Sequence, residues 1–249
     1  MTPLLVYGRF EVGRLLRSWR FLLITIGFPV TFYMLFLGDR SAGQVVGGTA
    51  WRVYLMVAMC SFGSLVAALT AGGARLSAER SSGWSRQLRV TPLPGWAYVG
   101  VKVTASMLVI LPVIVLVEVV GATFGGVHLG AGTWVALTVV LWVAAVPYAV
   151  LGALIGFLVH AETAFPVVTA LLFVLGYFGG LFNPVSEMPG PLRTVARLLP
   201  SYHGAAVGLV TVEGRGPLAL HWGALAAYAV VLGAVIVVRH RALEAHAGA

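Results

Sequence analysis

The sequence has little charge. Only 10% of its 249 residues are charged and 59% are hydrophobic, whereas a soluble globular domain has about 25% charged residues. A soluble domain of this size has too little interior to cover so much apolar surface. The composition therefore excludes an ordinary soluble protein and predicts an all-α protein that crosses a membrane several times.

The sequence also has one cysteine, Cys60, and one lysine, Lys102, so no intrachain disulfide can form. The lysine lies in "GVKV" and does not complete the Gly-Lys-Ser/Thr end of a P-loop. HExxH, cysteine clusters and paired-carboxylate motifs are missing as well. We therefore expect no catalytic residues, no metal and no cofactor on this chain, which by itself is not an enzyme.

Six apolar segments are long enough to cross a bilayer, which takes about 20 residues. Eleven of the 16 basic residues fall on the side of the membrane that would hold both termini, and the positive-inside rule makes that side cytoplasmic. These charges lie between apolar runs rather than on a phosphate-binding face, so a nucleic-acid partner is not expected. The predicted spans cover 21–38, 51–73, 98–124, 134–159, 164–182 and 218–238.

Two further pieces complete the single transmembrane domain predicted over 1–249. Residues 1–20 form a basic amphipathic pattern, which predicts a helix on the inner membrane surface. A cytoplasmic extension of the first span is the alternative. Residues 183–217, between the fifth and sixth spans, contain apolar pieces too short to cross, and they predict a pair of short, re-entrant-like helices in the outer leaflet.

Glu118 and two glycine pairs lie within predicted spans. An intramembrane carboxylate is a functional candidate by default, and a protonated Glu118 bonded to a neighbouring helix is the alternative. Gly152/Gly156 and Gly176/Gly180 are GxxxG pairs, which allow close approach of helix backbones. The pairs predict either packing within the chain or a dimer seam.

A charged island interrupts the apolar runs at 75–92, within the stretch "RLSAERSSGWSRQLRVTPLPG". The residues before Pro92 can form a short helix, which Pro92 ends. Its polar face would offer Glu79 and Arg80 to a soluble partner. A solvated loop that obeys the positive-inside rule is the alternative.

The order of residues in the charged island resembles a family pattern. Glu79-Arg80, Gly83, Leu88 and Thr91-Pro92-Leu93 resemble the E-R-x-x-G-x-x-x-x-L-x-x-T-P-L pattern of the type 2 ATP-binding cassette (ABC) export permeases. The stretch "GYFGGLFNPVSEMPGPLRTVARLLPSYHGAAVGL" is similar to that family's segment around the end of the fifth span. Its matching positions are Gly179, Gly180, Pro184, Met188, Pro189, Leu192, Ala196, Leu199, Pro200 and Tyr202.

This resemblance covers essentially the whole chain and implies a permease subunit of an ATP-driven exporter in the bacterial plasma membrane. The ATPase subunits, which hold ATP and magnesium, would be separate chains, and a second permease subunit would complete a homodimer or heterodimer. The charged island corresponds to the family's coupling helix. The implied contacts with the ATPase are Glu79, Arg80, Gly83, Trp84, Leu88, Thr91 and Pro92.

The resemblance also implies a substrate path, because the first, second and fifth spans of that family tend to face the partner permease and the transported molecule. The substrate would be an amphipathic small molecule or a lipid. Aromatic packing or lipid contact is the alternative for each path residue, and a secondary transporter or a non-transporting sensor or scaffold is the alternative for the protein. The implied path residues are Phe28, Phe32, Tyr33, Phe173, Tyr177 and Phe178, with Glu118 as a further candidate.

Overall fold

The computed structural model describes residues 13, 17–38, 44–82 and 95–247. In these ranges the chain is almost entirely helical, with one small hairpin in which Val45–Val46 (β1) pairs antiparallel with Thr49–Ala50 (β2). A short 3-10 turn covers Val185–Glu187. The helices are α1 (Trp19–Leu37), α2 (Trp51–Ser81), α3 (Gly95–Thr123), α4 (Ala131–Ala144), α5 (Val146–Leu158), α6 (Ala161–Phe178), α7 (Gly190–Ala196), α8 (Pro200–Glu213) and α9 (Leu218–Ala247).

Five stretches of helix among the described residues are long and apolar enough to cross a membrane. The prediction of an all-α polytopic membrane protein is therefore confirmed. The predicted first span falls on α1, whose apolar part, Leu23–Leu37, is shorter than the other five. The five long stretches are Trp51–Ser81, Val99–Thr123, Ala131–Leu158 (α4 with α5), Ala161–Phe178 and Leu218–Arg239.

Helix α2 is the centre of the bundle. Every side chain from Tyr54 to Ala68 is buried, and α1, α3, α5 and α8 all pack against it. A helix that is apolar on every side is expected in an interior position. Small side chains on α2, such as Ser61 and Ser64, let its neighbours approach closely.

Helices α2 and α5 meet backbone to backbone through glycines. A Cβ added to Gly152 would overlap the carbonyl oxygen of Ala68, and one added to Gly156 would overlap that of Gly72. A Cβ on Gly72 would in turn lie 2.9 Å from the backbone nitrogen of Ala153. The Gly152/Gly156 pair therefore packs within this chain and does not form a dimer seam.

The second glycine pair has a different structural role. Gly176 lies against the rings of Phe62 and Phe182. Gly180 has φ +82 and forms the turn after α6, a conformation that side chains other than glycine rarely adopt. These two glycines therefore serve a ring contact and a turn rather than a helix seam.

Polar contacts define two ends of the bundle. At the Trp51 end of α2, Arg52 Nη1 donates to Gly125 O after α3 at 3.1 Å, and Tyr54 Oη donates to Gly180 O at 2.6 Å. At the Ser81 end, Ser77 Oγ donates to Val159 O after α5 at 2.7 Å. We call these the Trp51 end and the Ser81 end.

Helix α8 enters the bundle from the segment predicted as outer helices. Tyr148 Oη, on α5, lies 3.1 Å from Ser61 Oγ in the middle of α2 and 3.3 Å from Pro200 O, where α8 begins. From there α8 runs to Gly214, whose φ of +67 ends the helix. Its depth in a bilayer stays a prediction, and the helix predicted over 1–20 lies almost entirely outside the described residues.

The glycine contact between α2 and α5 generates a test. We expect Gly152→Ala to lower the apparent melting temperature of the protein purified in detergent, because the new Cβ meets backbone that cannot rotate away. Overpacking of this kind costs about 1–3 kcal/mol. Gly233→Ala is the matched control, since a Cβ at that helical position meets nothing within 4 Å. Equal melting temperatures for the two variants would contradict the packing described.

Candidate coupling site

The charged island begins as a continuation of the second span. Arg75–Ser81 follows without a break from a π-helical segment, Leu69–Ala74, which in turn follows Trp51–Ala68. The first part of the short helix predicted before Pro92 is thus helical, but it continues the second span without a break. Polar residues mark the end of the apolar run and not the end of the helix. A π-helical segment is rare and frequently lies at a functional site.

Glu79 is buried rather than offered to solvent. It is 8% exposed and accepts a hydrogen bond from Lys102 Nζ at 2.5 Å, and Lys102, on α3, is 3% exposed. Burial of one charge alone would cost several kcal/mol, so the pair neutralises both groups in the interior. The ion pair fixes the Ser81 end of α2 to α3.

Arg80 and Ser77 join the same end of α2 to the end of α5. Arg80 Nη1 donates to Gly156 O at 2.8 Å and also to Phe157 O, while Ser77 Oγ bonds Val159 O. The last carbonyls of a helix lack partners within the helix and carry the negative end of its dipole. A half-buried arginine and a buried serine hydroxyl therefore cap α5 from α2.

A fourth helix contacts the island through an arginine. The guanidinium of Arg75 lies 5.2 Å from the centre of the Phe21 ring on α1, within the range of a cation–π interaction. We call the island residues Arg75, Ser77, Glu79 and Arg80, with their partners on α1, α3 and α5, the coupling network. This network joins the Arg75–Ser81 part of α2 to three neighbouring helices.

The sequence analysis placed Glu79 and Arg80 toward a soluble partner. Glu79 is buried, and the half-buried Arg80 bonds the end of α5, so contact of either side chain with an ATPase stays a prediction. Lys102 was not predicted as the partner of Glu79. One signal in the sequence could have indicated this pair. Lys102 is the one lysine of the chain and lies near the start of the third span, and Glu79 is the one carboxylate of the charged island before that span. The other implied ATPase contacts, Gly83, Trp84, Leu88, Thr91 and Pro92, lie outside the described residues.

Two of the predicted path residues belong to an aromatic cluster between α1, α2 and the turn after α6. Phe28 and Phe32 lie 4.7 Å apart, and Phe32 lies 5.4 Å from Phe182, measured between ring centres. Phe62 and Phe182, which are 4.7 Å apart, were not predicted, because no sequence pattern marks them. The cluster contains Phe28, Phe32, Phe36, Phe62 and Phe182.

The other predicted path residues divide by exposure. Phe173 and Tyr177 on α6 are exposed, and Tyr177 packs edge-on against the half-buried Phe178 at 5.4 Å. Tyr33 is fully buried and donates to Arg52 O at 3.5 Å, and its place on a path stays a prediction. The second span is buried on every side between Tyr54 and Ala68, and a path along the first, second and fifth spans stays a prediction.

Glu118 lies inside the bundle near the Trp51 end of α3. It is 6% exposed, and its Oε2 accepts a hydrogen bond from Thr138 Oγ1 on α4 at 2.6 Å. Thr138 Oγ1 also lies 3.0 Å from Trp134 O. Glu118 therefore takes part in a helix–helix contact, and a role in transport stays a prediction.

These features together define a class. The chain is a polytopic α-helical membrane protein with a buried central helix, and one end of that helix carries a charged segment tied to three neighbours. Residues 40–238 match the family described as "ABC-2 family transporter protein". The match covers most of the chain, which therefore belongs to the ABC-2 family of transporters.

A relative in Bacillus subtilis (strain 168) agrees with this family. Its name is "Putative transport permease YvfS", and it is 28% identical to this chain over 207 residues. The aligned region covers 83% of this chain and 84% of that protein. The resemblance of the charged island and of the segment after the fifth span to type 2 ABC permeases is thus confirmed at the level of the family.

The Glu79–Lys102 pair generates a double-mutant test. We expect Glu79→Gln or Lys102→Met alone to destabilise the protein by about 3–5 kcal/mol, because each breaks this buried ion pair and leaves one charged group in the interior. The double variant should recover much of that loss, as replacement of both charges is often neutral.

The measurement is the apparent melting temperature of each variant in one detergent, with the exposed Glu162→Gln as a control that should change little. A double variant no more stable than the single ones would show that the two side chains are not coupled.

Proposed function

We propose that this chain is the permease subunit of an ATP-driven exporter whose ATPase is a separate chain. Membership of the ABC-2 family makes it a transporter component, and its sequence carries no P-loop of its own. The Ser81 end would be cytoplasmic, in accord with the basic residues there and the positive-inside rule. Both termini would lie on that side.

The observation that carries the proposal is the coupling network. A docking segment must be attached firmly to the spans it moves, because a loosely attached segment would absorb displacement instead of passing it on. Here a continuous helix, a buried ion pair and two half-buried arginines join the start of the charged island to α1, α3 and α5. We infer that residues 83–92 touch the ATPase and that Glu79 and Arg80 act behind them as positioning residues.

Transport then follows from two states of the bundle. ATP can shift the equilibrium between them only if the ATPase contacts the two states differently. Closure of the ATPase would move the Ser81 end of α2, and the rigid contact between Gly72 and Gly152 would carry α5 with it. The pairing with a second permease would use α1 and α6, two of the helices with exposed large hydrophobic side chains.

The substrate we propose is an amphipathic small molecule or a lipid. Phe28 on α1 and Phe173 and Tyr177 on α6 present exposed aromatic side chains. Aromatic faces suit molecules with an apolar body and a polar end. Binding of such a substrate requires neither a metal ion nor a charged side chain inside the bundle.

A secondary transporter is the second candidate, and Glu118 favours it. A buried carboxylate in a span is the kind of group that proton relays use. The two candidates differ in their energy source, so the experiments below separate them by the requirement for an ATPase.

The first test is recovery of the motor. We expect the tagged chain, extracted in mild detergent, to copurify with an ABC ATPase subunit, and reconstituted vesicles holding both chains to hydrolyse ATP faster when an accepted amphipathic compound is added. Recovery of the chain without an ATPase, together with substrate movement that follows an ion gradient, would support the secondary transporter instead.

The second test concerns Arg80. We expect Arg80→Ala to leave the ATPase bound and active but to weaken the ATP-dependent change in hydrogen–deuterium exchange at the Trp51 end, because one of the polar links between α2 and α5 is lost. A hydrogen bond to a charged group contributes about 1.5–3 kcal/mol.

Arg193→Ala is the matched control. Arg193 also donates to two backbone carbonyls, those of Ser186 and Met188, but it lies between α6 and α8, far along the chain from the network. It should retain the ATP-dependent change. An unaltered change in Arg80→Ala would remove this residue from the coupling role.

A further inference from the structure

Two histidines that are distant in sequence are in contact between α8 and α9. His203 Nδ1 and His221 Nδ1 lie 2.9 Å apart, and their ring centres are 5.2 Å apart. The side chains are 7% and 5% exposed. Tyr202 packs edge-on against both rings, at 5.3 and 5.7 Å.

The short distance between the two nitrogens limits the number of protons at the contact. A separation of 2.9 Å accommodates one hydrogen, donated by one ring and accepted by the other. The pair is therefore satisfied when both imidazoles are neutral, or when one excess proton is shared. When both rings are charged, each Nδ1 carries a hydrogen, and two donors then face each other without an acceptor.

We propose that His203 and His221 form a proton-binding latch between α8 and α9, closed while the pair holds at most one excess proton and opened when it binds the second. The latch joins the helix that enters the bundle at Pro200 to the last span. Opening of the latch would release α8 from α9 and leave the contacts at the Ser81 end intact. This proposal does not depend on the energy source of transport.

The surroundings of the pair contain few charges that could offset a second positive ring. Helix α8 packs against α2, α4, α6 and α9, and α9 packs also against α5. Helix α4 carries no ionisable side chain. On the other helices the charged groups lie elsewhere. Helix α2 has Arg75, Glu79 and Arg80 at its Ser81 end and Arg52, bonded to Gly125, at its opposite end. Glu162 is in the first turn of α6, Glu213 is at the end of α8 beside Arg215, and Arg239 and the charged residues after it are at the far end of α9.

The remaining ionisable neighbours on these helices are uncharged phenols and one thiol. Tyr148 on α5 and Tyr228 on α9 bond the backbone, at Pro200 O and Leu198 O. Tyr54 bonds Gly180 O, Cys60 lies within the core, Tyr177 is exposed on α6, and Tyr202 is the ring against the pair. No carboxylate among the described residues is seen to bond either imidazole, so the second proton has no local counter-charge.

A metal ion is a less suitable ligand for this site than a proton. Structural zinc takes four ligands. The described residues contain no group of three or more histidine, cysteine, aspartate or glutamate side chains that could hold a metal. Two nitrogens at hydrogen-bond distance already satisfy each other.

The direction of titration agrees with the geometry. Burial lowers the pKa of His203 below its usual range, although a hydrogen bond to the backbone of Arg197 acts in the opposite direction. A depressed pKa means that the open state binds protons more readily than the closed state. The latch is therefore fully closed above about pH 6.5, the ordinary histidine pKa, and weakens as the pH falls through the lower value of the closed state.

The experiment measures hydrogen–deuterium exchange of the full chain in lipid nanodiscs, at several values between about pH 8 and about pH 5, the range in which histidine changes charge. We expect peptides from 200–221, corrected for the intrinsic pH dependence of exchange, to exchange faster at low pH. One unit of pKa difference corresponds to an opening equilibrium changed about tenfold.

Variants assign the effect to the pair. His203→Gln and, independently, His221→Asn should each remove most of this pH dependence. His128→Gln, a variant of an exposed histidine outside the pair, should keep it. The proposal is overturned if wild-type protection of 200–221 is the same at both ends of the range, or if either pair variant retains the wild-type dependence. The wild-type result decides the matter even if a variant does not fold.

Discussion

The close approach of α2 and α5 is the constraint on which the rest of the structure depends. Gly152 and Gly156 allow the two backbones to meet at Ala68 and Gly72, and this position brings the end of α5 within reach of Ser77 and Arg80. A larger residue at the crossing would separate the helices and leave the capping groups without partners. The polar contacts between α2 and α5 at the Ser81 end therefore depend on the glycines further along the two helices, where no side chain separates the backbones.

The polar groups of the bundle are arranged by end. At the Ser81 end they are charged and bonded, with Glu79 and Lys102 in the interior and Arg80 half-buried. At the Trp51 end Tyr54 and Arg52 each bond a backbone carbonyl. The two ends therefore differ in kind: a buried ion pair holds the Ser81 end, and bonds to backbone carbonyls hold the Trp51 end.

The apolar runs of the sequence were sufficient to predict the class and five of the spans, because a bilayer sets the length of the helices that cross it. They could not predict where α2 ends, since helical backbone continues into polar residues when partners are present. Nor could they predict the burial of Glu79, because its partner lies on another helix and the pairing requires their relative orientation. For the same reason Phe28 and Tyr33 look equivalent in sequence, although one is exposed and the other is fully buried.

Contacts over long sequence separations are the remaining part that the sequence does not reveal. The histidines looked scattered along the chain, and only the antiparallel arrangement of α8 and α9 places His203 beside His221. The Gly176/Gly180 pair shows the opposite case, in which the sequence suggests a contact that does not form. Its GxxxG spacing is typical of helix packing, but Gly176 lies against aromatic rings and Gly180 forms a turn. Local spacing predicts what a helix can do, and the neighbouring helix determines which possibility is used.

The π-helical segment Leu69–Ala74 sets the angular position of everything after it. A π turn holds one residue more than the corresponding α turn, and one residue of an α-helix corresponds to about 100° of rotation. Were this segment to revert to α-helix, the side chains of Arg75 to Ser81 would turn by about that angle about the helix axis. Glu79 would then leave Lys102 and Arg80 would leave the end of α5, so a change in hydrogen-bond register inside one helix would disconnect three helices at once.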